Sequence, residues 1–274
     1  MSYETRALTT DSASLDACGA LLSVTSAPTQ SDYLRWLYAD NPWGTAVGTN
    51  AYAGDTLAAH YATVPVEAML EGKRARGLLS LNTATHPTHQ GKGLFTRLAE
   101  ETYARGAAEG FEFVVGVANA NSTPGFTRKL GFQLVTPLDV LVGAGRVTAS
   151  TNDRVGFAFA WHDAGLRWRV RRPRAGYTVD ATSVYAPTHK LGILAYMGNV
   201  APTLTEGLPR TPRLAPLRMW IGLDPHLERK GVLAPLPDRL KPSPLNLIFR
   251  DLTGQRRQLD RATTRITLFD FDAY

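Results

Sequence analysis

Apolar and polar positions in the first half of the chain switch between a helical period of about 3.6 residues and a strand period of 2, and each stretch reads as one element. Thr10-Asp11-Ser12 offers helix caps ahead of Leu15, Ala17, Leu21 and Leu22, which predicts a helix over residues 11–25 after a short first strand. A second helix carries Tyr33 to Tyr38 and stops at Asn41-Pro42, because a residue before proline avoids helical angles. Three strands then form a meander: residues 46–52 and 57–67 around the Gly54-Asp55 turn, and 74–85 after Glu71-Gly72-Lys73. The period lengthens over residues 93–109, where Leu94, Leu98 and Thr102 repeat at helical spacing beside Ala99 and Tyr103, and Gly110 closes the helix. Phe111 to Val117 reads as a buried strand, residues 124–130 as a short helix ended by Gly131, and 132–142 as one further strand. This order predicts a mixed α/β layer structure.

The second half is less regular. Gly143-Ala144-Gly145 and the polar run Thr148-Ala149-Ser150-Thr151-Asn152-Asp153 read as a linker between domains at 1–145 and 154–274. Leu34-Arg35-Trp36 recurs as Leu166-Arg167-Trp168, Pro42 has a counterpart near Pro173, and Gly44 matches Gly176. A degenerate internal repeat and coincidence both stay open on so few positions. Arg167, Arg169, Arg171, Arg172 and Arg174 read as alternating arginines on a strand-like run with one solvated face. Prolines from Pro209 to Pro244 predict short strands and long ordered loops in the last third.

Composition narrows the function classes. With 274 residues and 44% hydrophobic content the chain buries a core and is not disordered. Thirty basic against 24 acidic residues leave a net charge of +6, which favours polyanions, either nucleic acid or phosphorylated small molecules. No finger spacing, basic zipper or ribonucleoprotein-type aromatic motif is present, so no nucleic-acid partner is expected. The lone Cys18 can form no internal disulfide or metal cluster and reads as a small apolar helix residue; no metal is expected. The stretch from Met1 to Arg6 lacks the apolar core of a signal peptide, and no later run is apolar enough for a membrane span, so a soluble cytoplasmic protein is expected.

The chemistry concentrates at Pro87-Thr88-His89-Gln90-Gly91-Lys92-Gly93, between a strand and an amphipathic helix. Backbone N–H groups at a helix start have no internal partner and suit a phosphate, Gly91 and Gly93 permit close approach, and Lys92 adds charge. The spacings G-x-x-x-x-G-K-[ST] and G-x-G-x-x-G are both absent, which excludes the common nucleotide-binding loops. Taken alone, the turn fits a purely structural role equally well.

Its surroundings add to it. Thr83-Ala84-Thr85-His86-Pro87, Gln90-Gly91-Lys92-Gly93, the strand to Val117, Asn119 and Phe126-Thr127-Arg128-Lys129-Leu130-Gly131-Phe132 together resemble the GNAT superfamily of acyl-CoA N-acyltransferases. The resemblance runs over residues 3–143 and is strongest over 80–132; Phe95 departs from it, standing where the family's turn ends in a small residue. It implies a central mixed sheet flanked by helices, followed here by a strand-rich second domain whose relation to the same fold is left open. It further implies that Gln90, Gly91, Lys92, Gly93, Leu94 and Phe95 hold the pyrophosphate of acetyl-CoA or another short-chain acyl-CoA. Thr83, Ala84 and Thr85 would run beside the pantetheine arm, with Asn119 and Phe126 on the far side.

The implied reaction is direct attack of a primary amine on the thioester, which needs a base, donors for the oxyanion and a proton for the leaving thiolate. Thr127 stands where many relatives carry the tyrosine that protonates the thiolate, and Leu79-Ser80-Leu81-Asn82 lacks the family's frequent carboxylate. His60 is the candidate base, with Asn82 positioning substrate or water, and Tyr61 and Tyr103 are unranked substitutes for the missing acid. Tyr38, Asp40 and Asn41 are the candidate acceptor-binding residues. A GNAT domain with a long second half resembles acyltransferases of nucleotide-linked amino sugars, while peptides and other small amines stay open as acceptors. An acyl-CoA-binding protein whose catalytic groups have decayed is the alternative to an enzyme.

Overall fold

A computed structural model describes residues 2–25, 28–148, 155–188, 190, 192–212, 215–241 and 243–271. The first half contains β1 (Glu4–Ala7), α1 (Ser12–Thr25), α2 (Ser31–Tyr38), β2 (Val47–Ala53), β3 (Thr56–Leu70), β4 (Lys73–Thr85), α3 (Leu94–Ala108), β5 (Phe113–Ala118), α4 (Thr123–Lys129), β6 (Gln133–Pro137) and β7 (Asp139–Thr148). The second contributes β8 (Phe157–Phe159), α5 (Asp163–Val170), β9 (Thr178–Asp180), β10 (Ser183–Pro187), β11 (Ile193–Asn199), β12 (Leu217–Gly222), β13 (Glu228–Pro235), β14 (Asn246–Asp251) and β15 (Thr264–Arg265).

Strand alternation and helical spacing explain the first sheet. Adjacent residues Leu78 and Leu79, and Val114 and Val115, enter different apolar clusters, so both faces are covered. One face is closed by α3, whose buried residues Leu94, Leu98, Thr102 and Gly106 repeat every four positions. Gly106 lets the helix lie close on the sheet, since a Cβ there would stand 2.6 Å from Leu78. The opposite face packs on α1, α2 and the apolar inner side of the second sheet, so a single cluster joins Leu37 and Leu79 to Val184 and Met197.

Two mixed sheets result, in the strand orders β1-β2-β3-β4-β5-β14-β6 and β13-β7-β12-β11-β10-β9. From β2 the first sheet pairs antiparallel, antiparallel, parallel, antiparallel, antiparallel, and from β9 the second repeats that sequence of pairings. The equivalent strands β14 and β7 are exchanged: β14 lies between β5 and β6, while β7 lies between β12 and β13. The recurrent Leu-Arg-Trp is therefore structural. Trp36 and Trp168 stack with centroids 4.4 Å apart, and each indole N–H donates to the other's backbone oxygen, at 3.1 and 2.9 Å.

Several expectations are corrected by this exchange. The strand expected over 132–142 is two strands in two sheets, because Pro137 has no N–H to continue a ladder and Leu138 N–H turns to Leu245 O at 2.8 Å. Gly143 and Gly145 belong to β7 rather than to a linker; a Cβ at either would stand within 2.2 Å of a carbonyl oxygen of β13. Residues 149–154 of the expected linker lie outside the described residues. The sheets consequently do not divide at 145–154, since β7 crosses one way and β8, β14 and β15 the other. The arginine run begins on helix α5, not on a strand, and Arg169 is buried, its guanidinium donating to Leu268 O and Phe271 O.

Candidate acyl-donor site

Strand β4 leads through a short 3-10 turn, Pro87–His89, into α3. Gly91 and Gly93 have φ of 72° and 74°, in the left-handed region that glycine adopts without strain, and nothing lies within 4 Å of a Cβ built on either. Gly93 is the N-cap of α3 and no side chain caps the helix start, so the first-turn N–H groups face an open, exposed turn. The turn is anchored from outside: Tyr3 Oη pairs with His89 Nδ1 at 2.9 Å, and Gln90 Nε2 donates to Thr85 O at 3.3 Å.

Beside this turn the sheet opens. Strands β4 and β5 pair in parallel only from Gly77–Phe113 to Ser80–Gly116 and then part. Opposite Tyr61 the register slips, and Asn82, with φ of 46°, sits in the bulge. The gap is a cleft of about 550 Å³ lined by Ser80, Leu81, Asn82, Thr83, Phe95, Val117, Asn119, Asn121, Ser122, Gly125, Phe126 and Leu245. A smaller cavity of about 250 Å³ adjoins it, sharing Ser80, Leu81 and Asn82 and adding Leu79 and Phe271.

A family model described as the acetyltransferase (GNAT) domain matches residues 16–135, the stretch that carries both the turn and the parting strands. This stretch is similar to GNAT acetyltransferase domains. Among curated proteins nothing matches. The fold resembles a conserved protein of unknown function from Enterococcus faecalis V583, with TM-score 0.59, 10% identity, and 92% of this chain and 73% of that one covered. It also resembles a GCN5-related N-acetyltransferase from Anabaena variabilis ATCC 29413 (0.59, 12%, 91% and 73%) and Eis1 from Mycobacterium abscessus (0.55, 12%, 92% and 74%). These likenesses span both sheets. GNAT acetyltransferases use acetyl-CoA or another acyl-CoA as co-substrate.

Within the GNAT domain the sequence candidates separate into groups. Thr83, Phe95, Asn119 and Phe126 line the cleft, while Gln90, Gly91, Lys92 and Gly93 form the exposed turn at its mouth. Leu94 and Ala84 are buried, so they can offer a ligand only backbone atoms. Phe95, too large for the usual turn, is accommodated because Gly125 leaves room: a Cβ there would stand 2.9 Å from the Phe95 ring, which meets Phe126 edge-on at 5.2 Å. Asn119 Oδ1 accepts from the N–H groups of Asn121 and Ser122 and so shapes the entrance to α4. Thr127 Oγ donates to Thr123 O and does not line the cleft.

His60 lies behind the cleft rather than in it. It is fully buried, and desolvation lowers its pKa to about 4, so it is a neutral imidazole in ordinary buffers. Nδ1 pairs with Asn50 Oδ1 at 2.7 Å; that contact needs the proton on Nδ1 and leaves Nε2 to accept from Tyr38 Oη at 2.9 Å. Tyr38 Oη in turn accepts from Asn82 Nδ2 at 3.0 Å. Asn82 is thus held at the cleft wall by a buried chain that begins at Asn50. Direct contact between His60 and an incoming amine is closed off by this packing.

The acceptor candidates are placed elsewhere. Tyr38 is fully buried, Asp40 is exposed away from the cleft walls, and Asn41 braces the α2–β2 corner through Pro65 O and Trp43 N–H. None of the five arginines from Arg167 to Arg174 lines the cleft. Among the described residues the cleft carries no carboxylate and no imidazole, and no cluster of three or more His, Cys, Asp or Glu side chains could hold a metal. No helix among them is long and apolar enough to cross a membrane. Burial pushes the Cys18 thiol up to about 11, which leaves it unreactive. Sequence reading missed Ser80, a polar position in an apolar strand and so detectable. It also missed Leu245 and Phe271, which come from the other half and carry no local signal.

Proposed function

We propose that the protein transfers an acetyl or other short acyl group from coenzyme A to a small primary amine by direct attack. The observation that carries this reading is the uncapped, glycine-flanked start of α3 opening beside the cleft between β4 and β5. The residues fit such a donor. Free N–H groups with two side-chain-free positions suit a pyrophosphate, and a narrow, mostly apolar gap with scattered amide and hydroxyl groups suits a pantetheine arm.

In this reading Thr83 flanks the arm on one wall, and Asn119 and Phe126 on the other. Asn82, fixed through Tyr38 and His60, uses its amide oxygen to orient the acceptor N–H. His60 is then a positioning residue. With no titratable side chain on the described cleft walls, the ammonium loses its proton to water before attack, and the rate follows the acceptor's own ionisation. An acceptor that depends on phosphate contacts, such as a nucleotide-linked amino sugar, finds no arginine on these walls, so an amine without phosphates is the better-supported class.

Calorimetric titration with coenzyme A, combined with thiol release from acetyl-CoA across a panel of amines between pH 7 and 9.5, tests the proposal. Binding together with turnover that climbs with pH in step with each amine's own pKa is the expected result. Tight binding without turnover on any amine would overturn the enzyme and leave an acyl-CoA-binding protein.

A further inference from the structure

Three hydroxyls run from the core to the cleft. Tyr103 Oη lies 2.5 Å from Tyr61 Oη, and Tyr61 Oη lies 2.6 Å from Ser80 Oγ. Tyr61 and Tyr103 are buried, whereas Ser80 lines both the cleft and the adjoining cavity. Each hydroxyl holds one proton, so the chain can be polarised in only two ways. If the donors pointed inward, the Tyr103 proton would be left in a dry core with no acceptor, because among the described residues its hydrogen-bond partner is Tyr61 alone. Outward polarisation satisfies all of them: Tyr103 donates to Tyr61, Tyr61 donates to Ser80, and the Ser80 O–H is presented to whatever fills the cleft.

The position of that donor is specific. Ser80 is the last residue of β4 paired with β5, at the point where the strands begin to part. Its partner Gly116 makes the room, since a Cβ there would stand 3.3 Å from Ser80 Cβ. Burial pushes Tyr61 up to about 12 and Tyr103 well above the ordinary phenol value, so both phenols keep their protons even with Arg250 lying 5.0 Å over the Tyr103 ring. The chain therefore works as a fixed array of dipoles.

We infer that Ser80, polarised by Tyr61 and Tyr103, is the hydrogen-bond donor that stabilises the departing thiolate of coenzyme A, in place of the acid missing at Thr127. The inference rests on the acyl-transfer reading of the cleft. As the amine nitrogen bonds to the acyl carbon, the C–S bond breaks and its electron pair goes to sulfur. Ser80 O–H donates to that sulfur without losing its proton. The proton lost by nitrogen on becoming an amide reaches the thiolate through water, so the serine ends unchanged.

The test compares wild type with Ser80→Ala and Tyr61→Phe, using the near-ultraviolet absorbance of the thiolate of bound coenzyme A against pH, with kcat and KM measured beside it. Wild type should lower the bound thiol's pKa. Ser80→Ala should raise it by about one to two and cut kcat roughly 10- to 100-fold with KM for acetyl-CoA unchanged, as expected when a hydrogen bond to a charged group is lost. Tyr61→Phe, which keeps the serine but frees it to turn, should fall between the two. If coenzyme A binds and neither variant moves the thiol pKa or kcat, the role of Ser80 is refuted while the donor site stands. If wild type binds no coenzyme A, the donor reading itself fails.

Discussion

The two sheets repeat one order of pairings, yet among the described residues the gap beyond the parallel pair is open in the first and filled in the second. In the first, β4 and β5 part after Ser80–Gly116 and the gap stays open to a ligand. In the second, β11 and β12 pair only from Ile193–Leu217 to Ala195–Met219, and the chain's own segment fills the space beyond. Ile266 bridges to Leu223, and Phe269 N–H donates to Met197 O at 3.3 Å. Gly198 and Gly222 are the cradle: a Cβ on Gly198 would stand 2.3 Å from the Phe269 ring, and one on Gly222 2.2 Å from Ile266 O. The segment is clamped by Arg169 through Leu268 O and Phe271 O, and Asp270 accepts from Trp161 Nε1 at 2.6 Å. Parting strands create a place for an occupant, and side chains elsewhere decide whether that occupant is a ligand or the protein. The same segment then reaches the first sheet, where Phe271 lines the smaller cavity.

The contrast can be broken most forcefully at its plug. Phe269→Ala should cost about 3–5 kcal/mol in urea unfolding, the usual loss for a buried phenylalanine, while Phe95→Ala in the open cleft should cost clearly less. Equal costs would mean that the two gaps are not differently filled. A smaller effect concerns the chain behind the first cleft. Because the folded pKa of His60 is lowered from 6.5 to about 4, its contribution is complete above pH 6.5 and is lost as the pH falls towards 4. The loss approaches roughly 3 kcal/mol, and the decline in the urea midpoint over that window should flatten in His60→Gln. An unchanged slope would place a charged or solvated imidazole there.

The smallest effect compares two left-handed glycines with open surroundings, one in each half. Gly93→Asp sets a carboxylate at the start of α3 and should weaken coenzyme A binding by about tenfold in calorimetry, whereas Gly207→Asp should leave it unchanged. Similar affinities for the two variants would remove the turn from the donor site.

Much of the first half was legible because its elements follow from local order. The glycines and apolar spacing around α3, the meander β2–β3–β4 and the close of α4 at Gly131 are each written within a few residues. The second half yielded less for a physical reason. Gly143 and Gly145 resemble a flexible joint, but they serve the close approach of β13, a partner more than eighty residues away. The arginine run looked like a solvated strand, since nothing local says that Arg169 will find two carbonyl oxygens from the end of the chain. His60 carried the right chemistry for a base, and only its burial behind Tyr38 turned it into a support for Asn82.

The sequence by itself determined the strand–turn–helix proposed to meet the donor and the domain family that residues 16–135 match. It did so because glycine conformation, uncapped N–H groups and apolar period are properties of neighbouring residues. Tertiary structure alone decided the exchange of β7 and β14, the open first gap and the filled second one, and the meeting of the Tyr103, Tyr61 and Ser80 hydroxyls. Those depend on groups far apart in sequence whose exclusion from water is settled only when the two sheets close on a common core.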